Sequence, residues 1–341
     1  MNYGEVLNNA KTIIGKKCRV CKECNGIACK GEVPGVGGKG TGLAFIRNRE
    51  KINQVKLHLD TIVPEDKIDT SIELFGRTLK YPILAAPIGG LEMNYGTAQL
   101  DDFTYSQAIV GGCKDAGVIG LTADGVKDAF FQDPLKAVGE NEGWGIPTIK
   151  PWKNDEILKK ISQAEEKQVP AIAIDIDAAG LVILAMLGKP VTRKSVDELK
   201  EITSATKLPV ILKGVMTVEG AKKALEAGAY GIVVSNHGGR VLDHTLATIE
   251  VLPQIAEAVK GKMKIFIDGG FRDGVDIFKA LALGADAVLI GRPYAVAAYG
   301  GGREGVELYT QKVGQELKET MIMTGCNEIQ DIGKHCVSYS F

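Results

Sequence analysis

The stretch Tyr230-Gly231-Ile232-Val233-Val234-Ser235-Asn236-His237-Gly238-Gly239-Arg240 decides the fold. Its apolar half reads as a buried strand, and a histidine and an arginine emerge just beyond the strand end, where barrel enzymes keep their chemistry. An imidazole takes a proton near neutral pH, and a guanidinium three residues on can clamp a carboxylate through two parallel hydrogen bonds. The pair therefore points to oxidation next to a carboxylate. The plainer reading is a loop in which His237 caps a backbone group and Arg240 forms a surface salt bridge.

Working outward from this strand, short β-branched runs alternate with amphipathic stretches from about residue 80 onward, as in successive βα units. Eight runs stand out: Ile83 to Pro87, Val118 to Ala123, Pro147 to Pro151, Ala171 to Asp175, Pro209 to Gly214, Gly231 to Asn236, Lys264 to Gly270 and Ala287 to Arg292. Several end in polar residues, among them Asp175, Lys213, Ser235, Asp268 and Arg292, which a closed barrel gathers around one mouth. The expected fold is α/β, a TIM (β/α)8 barrel over residues 46–341 with a cysteine-containing extension over residues 1–45. A doubly wound sheet with a small extra domain is the alternative. Helical faces are expected at Val218, Ala221, Ala224 and Leu225, and at Val275, Phe278, Leu281 and Ala282, closed by Gly228 and Gly284.

The chain has 341 residues, 41 basic and 42 acidic, for a net charge of −1. No global field favours nucleic acid or an anionic membrane, so a small-molecule ligand is expected. No run of about 18 apolar residues spans a bilayer and the polar start lacks a signal-peptide pattern, which predicts a cytoplasmic enzyme.

Glycines and arginines cluster at the ends of the last two runs, Asp268-Gly269-Gly270-Phe271-Arg272 and Gly291-Arg292-Pro293. Glycine lets backbone N–H groups approach an anion, and the late loops of a barrel form a recurrent phosphate site. Lys213 ends the fifth run, where a buried ammonium needs an anionic partner. It suits the pyrimidine end of a reduced flavin, and a lysine Schiff base is the competing chemistry.

With these residues assembled, the chain resembles the FMN-dependent 2-hydroxy acid oxidase and dehydrogenase family, which includes glycolate oxidase and lactate oxidase. The resemblance is densest from Pro209 to Ile332, where Lys213, Ser235 to Arg240, Asp268 to Arg272 and Gly291-Arg292-Pro293 follow the family order. Earlier in the chain, Ala85-Ala86-Pro87 resembles the first flavin-contacting strand end and Thr122 stands where a flavin-contacting hydroxyl is usual. The resemblance implies FMN contacts from Ala86, Pro87, Thr122, Thr148 and Lys213, and further ones from Ser235, Asp268, Gly269, Gly270, Arg272, Gly291 and Arg292. It implies His237 as the base, Asp177 as its carboxylate partner, Arg240 as the clamp on a small 2-hydroxy acid, and Lys213 as the stabiliser of reduced FMN. A homo-oligomer, a tetramer or larger, is implied as well, and the electron acceptor is left open.

Three departures bear on the substrate. The family's Gln-x-Tyr pattern reads Thr148-Ile149-Lys150 here, so Lys150 joins His237 and Arg240 as an expected substrate-binding residue and offers a cation to a second carboxylate or a phosphate. Asp175 replaces a usual threonine. The N-terminal active-site tyrosine has no counterpart, and the stretch between Asp177 and Lys213 is short for a lid. An FMN-dependent isomerase of a phosphorylated substrate and a flavin electron-transfer module are the competing functions.

Of seven cysteines, four form Cys18-x-x-Cys21-x-x-Cys24-x-x-x-x-Cys29. This spacing suits an iron–sulfur cluster or zinc, with unliganded thiols as the alternative. Next to it, Gly35-Val36-Gly37-Gly38-Lys39-Gly40 fits the letters of a dinucleotide loop, but no strand precedes it and Pro34 adjoins it, so it reads as a flexible connector.

Overall fold

The computed structural model describes residues 1–64 and 66–341. Eight parallel strands close into a barrel: Ile83–Ala85, Ile119–Thr122, Gly145–Ile149, Ile172–Asp175, Val210–Val215, Gly231–Val234, Lys264–Ile267 and Ala287–Ile290. Each pairs with the next and the last returns to the first, so all eight expected runs are barrel strands and the doubly wound alternative falls.

Side-chain alternation divides the core into two layers. Leu84, Ile119, Leu121, Ile146, Ala173, Ile211, Val233 and Phe266 fill the barrel interior, while Ile83, Ile172, Ile174, Leu212, Ile232 and Ile265 pack outward beneath the helices. Both faces of each strand are thus buried, which is why the strands read as continuous apolar runs. A hairpin of Ile72–Leu74 and Arg77–Leu79 plugs the end opposite the polar mouth, with Phe75 stacked 5.9 Å from Phe266. Helix Val218–Glu226 buries Ala221 and Ala224 as expected. In helix Gly274–Ala282 the inward face is Ile277, Phe278 and Leu281, and Val275 is 36% exposed because it lies in the first turn, off that face.

The N-terminal segment is seated on the barrel. Helix Tyr3–Ile14, capped reciprocally by Asn2 and Glu5, buries Val6, Ala10 and Ile14 against the long C-terminal helix Arg292–Met323. Tyr3 stacks 5.6 Å from Tyr309. The contact is close enough that a Cβ on Gly300 would stand 2.0 Å from the Val6 carbonyl oxygen. A second helix, Leu43–Gln54, runs across residue 45, so the boundary expected there falls inside a helix. Among the described residues no helix is long and apolar enough to cross a membrane.

Gly300→Ala is expected to lower unfolding stability by about 1–3 kcal/mol through overpacking against the Val6 backbone. Urea unfolding followed by circular dichroism measures it.

Candidate active site

The polar strand ends surround a cavity of about 1030 Å³, at the upper end of the size range of cofactor sites. Ala86, Pro87, Thr148, Lys150, Lys213 and His237 are among the residues that line it. Arg240, Asp268, Gly269, Gly270, Arg272, Gly291 and Arg292 line it as well. Three expected site residues stand behind this wall: Thr122 is buried at its strand end, Ser235 is fully buried and accepts the His237 backbone N–H at 3.0 Å, and Asp177 supports the imidazole.

Strand register creates the charged floor. Asp175 and Lys213 are paired residues on adjacent strands, and Lys213 Nζ donates to Asp175 Oδ1 at 2.9 Å. Lys150, from the strand on the other side, donates to Asp175 Oδ2. Asp177 and Asp268 each lie 3.9 Å from Lys213 Nζ. Burial disfavours the Lys213 ammonium, but these carboxylates, Asp175 foremost, outweigh it and hold Lys213 above its ordinary value. Burial likewise works against the Asp175 carboxylate, and Lys150, Lys213 and His237 overcome it and hold Asp175 well below the usual range. A lysine held protonated in this way is no nucleophile, which removes the Schiff base reading.

His237 is fixed from both sides. Its backbone is left-handed at φ 57°, followed by Gly238 at 61° and Gly239 at 78°, an unusual run that turns the chain back over the barrel mouth. Asn236 and Asn48 exchange reciprocal amide hydrogen bonds at 2.8 and 3.0 Å, tying this turn to helix Leu43–Gln54. Asp177 Oδ1 accepts from His237 Nδ1 at 2.9 Å, so the neutral ring carries its proton there and leaves Nε2 as the basic nitrogen. Asp177 reaches the ring because the turn Ile176–Gly180 folds directly onto Gly214, at φ 111°. A Cβ at position 214 would stand 2.5 Å from the Asp177 Cβ.

Arg240, Arg272 and Arg292 have no carboxylate within 4.0 Å among the described residues. Their protein partners are neutral. Arg240 donates to the Gly35 and Gly37 carbonyls and to Asn94 Oδ1; Arg292 donates to Val36 O at 2.6 Å, Gly37 O at 3.1 Å and Gly238 O at 3.2 Å. Burial, and then the like charge of Arg292, lowers Arg240 to about 10, still fully charged near neutral pH. Arg292 also lies 3.8 Å over the Phe45 ring. Partly buried cations without a counter-ion suit this end of the cavity to an anion.

The segment 35–40 is thus no free connector. Val36, Gly37 and Gly38 are buried, and Lys39 N donates to Gly239 O at 2.8 Å, because residues with little or no side chain let their carbonyls reach the guanidinium groups. Sequence reasoning also missed Asp124, a cavity-wall carboxylate that accepts from Lys160 Nζ and Trp152 Nε1, both at 2.6 Å. Nothing local marks it apart from a turn aspartate. Cys326 and Cys336, far along the chain from the other thiols, have sulfurs 3.7 Å apart.

Comparison with known proteins defines the class. The model of the FMN-dependent dehydrogenase family matches residues 36–185 and 182–339. A 2-hydroxyacid oxidase of Dictyostelium discoideum is 31% identical over 86% of this chain and 82% of its own length. An L-lactate oxidase of Lactobacillus jensenii is 43% identical over 84% of this chain and 76% of its own. The crystal structure of a single-residue variant of mandelate oxidase with 2-hydroxy-phenylacetamide superposes with a TM-score of 0.80 at 26% identity, covering 99% of this chain and 97% of that one. The site and the barrel define a flavin-dependent oxidoreductase. The chain belongs to the FMN-dependent dehydrogenase family, and its reaction is the FMN-dependent oxidation of a 2-hydroxy acid. The cytoplasmic expectation is overturned by the same comparison, since a relative from Arabidopsis thaliana, 29% identical over 85% of this chain and 86% of its own length, is a peroxisomal (S)-2-hydroxyacid oxidase. A polar start and the lack of a spanning run do not define a compartment.

The cavity fits FMN on its own evidence. Thr148 Oγ1 and Asp268 Oδ1 are buried oxygens without a protein partner in its wall. A Cβ added at Gly291 would have only Ile88 and Ala86, both cavity residues, within 4 Å.

Asp175→Asn is expected to destabilise the protein by about 3–5 kcal/mol at neutral pH, because it leaves two buried ammonium groups short of a partner. Asp175 is depressed in the folded state, so its contribution is complete above its unfolded value near 4 and is lost as pH falls through the lower folded value. Urea unfolding at several pH values should therefore show the gap between wild type and variant closing only under acidic conditions.

Proposed function

We propose that His237 is the catalytic base and Arg240 the substrate carboxylate clamp of this 2-hydroxy acid oxidoreductase. The observation that carries the assignment is the His237 Nδ1 to Asp177 Oδ1 bond of 2.9 Å together with a partly buried Arg240 guanidinium that has no carboxylate partner and lines the same cavity. Arg240 orients the substrate by its carboxylate, which places the 2-hydroxyl toward the imidazole. His237 Nε2 takes the hydroxyl proton, and Asp177 stabilises the imidazolium that results. Bound FMN would supply the acceptor for the α-hydrogen and the two electrons that leave the substrate carbon as its C–H bond breaks and the C=O bond forms.

The residues proposed to hold FMN divide by chemistry. Arg272 and Arg292, with the N–H groups around Gly269, Gly270 and Gly291, suit its phosphate. Asp268 and Thr148 offer unpartnered oxygens to its hydroxyl and ring N–H groups, and Lys213 offers a permanent positive charge to its electron-rich end. Ala86 and Pro87 furnish an apolar surface for the ring. Thr122 and Ser235 support this wall from behind.

Lys150 is proposed as a fixed hydrogen-bond donor at the substrate pocket. The pairing with Asp175 neutralises it, so the pocket carries no surplus cation for a second carboxylate or a phosphate, and a monocarboxylic hydroxy acid is the substrate class this favours.

His237→Ala should reduce kcat by about 10²- to 10⁴-fold while FMN stays bound. Turnover retained at the wild-type rate would refute the base. Replacing Arg240 by Lys removes the fork geometry, and a charged hydrogen bond contributes about 1.5–3 kcal/mol, so kcat/KM should fall roughly 10- to 100-fold, mainly through KM. Anaerobic flavin bleaching by lactate and related acids reads both variants.

A further inference from the structure

The hydroxy acid chemistry makes no use of Cys18, Cys21, Cys24 and Cys29. The family match begins at residue 36, so the matched residues do not include these four cysteines. Residues 15–42 contain neither helix nor strand, a length at which an unstructured connection inside a compact domain needs a function or a cross-link. It is nonetheless held at defined points. Arg272 donates twice to the Cys24 carbonyl, at 3.1 and 2.9 Å, and Gly26 packs against the Phe45 ring that carries Arg292.

All four thiols are free. All four lie between positions 18 and 29 of this one loop, which Arg272 holds through the Cys24 carbonyl. Their sulfurs do not form one tight set. Among the described residues, the three groups whose ligand atoms lie within 4.8 Å of one another are Asp175, Asp177 and His237, and no trio of cysteines does so. A single tetrahedral zinc ion with bonds of about 2.3 Å needs its sulfurs roughly 3.8 Å apart. An open set of four sulfurs suits a polynuclear centre instead. The Asp175, Asp177 and His237 group is no rival site, because the Lys213 ammonium already stands 2.9 Å from Asp175 and 3.9 Å from Asp177, and Asp175 also accepts from Lys150.

We propose that Cys18, Cys21, Cys24 and Cys29 bind a four-iron, four-sulfide cluster next to Arg272 and Arg292. The two-residue intervals among the first three cysteines match the run that holds such clusters in bacterial ferredoxins. The longer interval to Cys29 lets the chain turn back to supply the fourth ligand locally. The site is independent of the base and clamp assignments.

The test uses the full chain purified without oxygen and reconstituted with ferrous iron and sulfide. About four irons and four acid-labile sulfides per chain are expected, with a broad visible band that survives FMN removal, is bleached by dithionite and yields a paramagnetic resonance signal. One zinc per chain without sulfide, two irons, or no bound metal would each overturn the proposal. Cys21 is exposed, so Cys21→Ala sacrifices no packing; it should hold three irons or fewer with unchanged FMN, whereas Cys113→Ala should keep all four. Four irons and four sulfides retained in Cys21→Ala would refute the ligand set. His237→Ala should keep the cluster while losing turnover, which separates failure of this site from failure of the catalytic assignment.

Discussion

The active end of this barrel depends on one buried ammonium, that of Lys213, set among the carboxylates of Asp175, Asp177 and Asp268. A lone charge at that depth would be prohibitive, and a lone pair barely neutral in free energy. The arrangement holds because the groups share partners: Asp175 bridges Lys213 and Lys150, and Asp177 turns its other contact to His237. One network therefore sets the charge beneath the cofactor pocket and the tautomer of His237 together. Removing any member disturbs both.

Much of this was legible in the sequence, for physical reasons that differ by element. The strands announced themselves because both faces of a parallel barrel are buried, so that Ile172–Asp175 or Ala287–Ile290 has no polar alternation to confuse the reading. His237 and Arg240 were legible because they share a single strand end. Asp175 and Lys213 are far apart in sequence and adjacent only through strand register, so their pairing, and with it the neutralisation of Lys150, emerged from the fold alone. Val275 misled because the helical period was right but began a turn too early.

The N-terminal segment was the least legible. Glycine-rich chain reads as a linker whenever its own side chains are counted, and here the contacts come from other residues' side chains reaching its carbonyls. The reading of Gly35 to Gly40 failed for that reason, although rejecting a dinucleotide loop there was sound. Asp124 went unnoticed for a related one: its importance lies in Lys160 and Trp152, which approach from a later helix and loop.

Gly214 shows how narrowly scaffold and chemistry touch. A methyl group there would strain a backbone held at φ 111° and push on Asp177, two and a half ångströms away, the residue that orients the imidazole. One hydrogen atom in place of a methyl therefore serves the strand's own curvature and the seat of the imidazole at once.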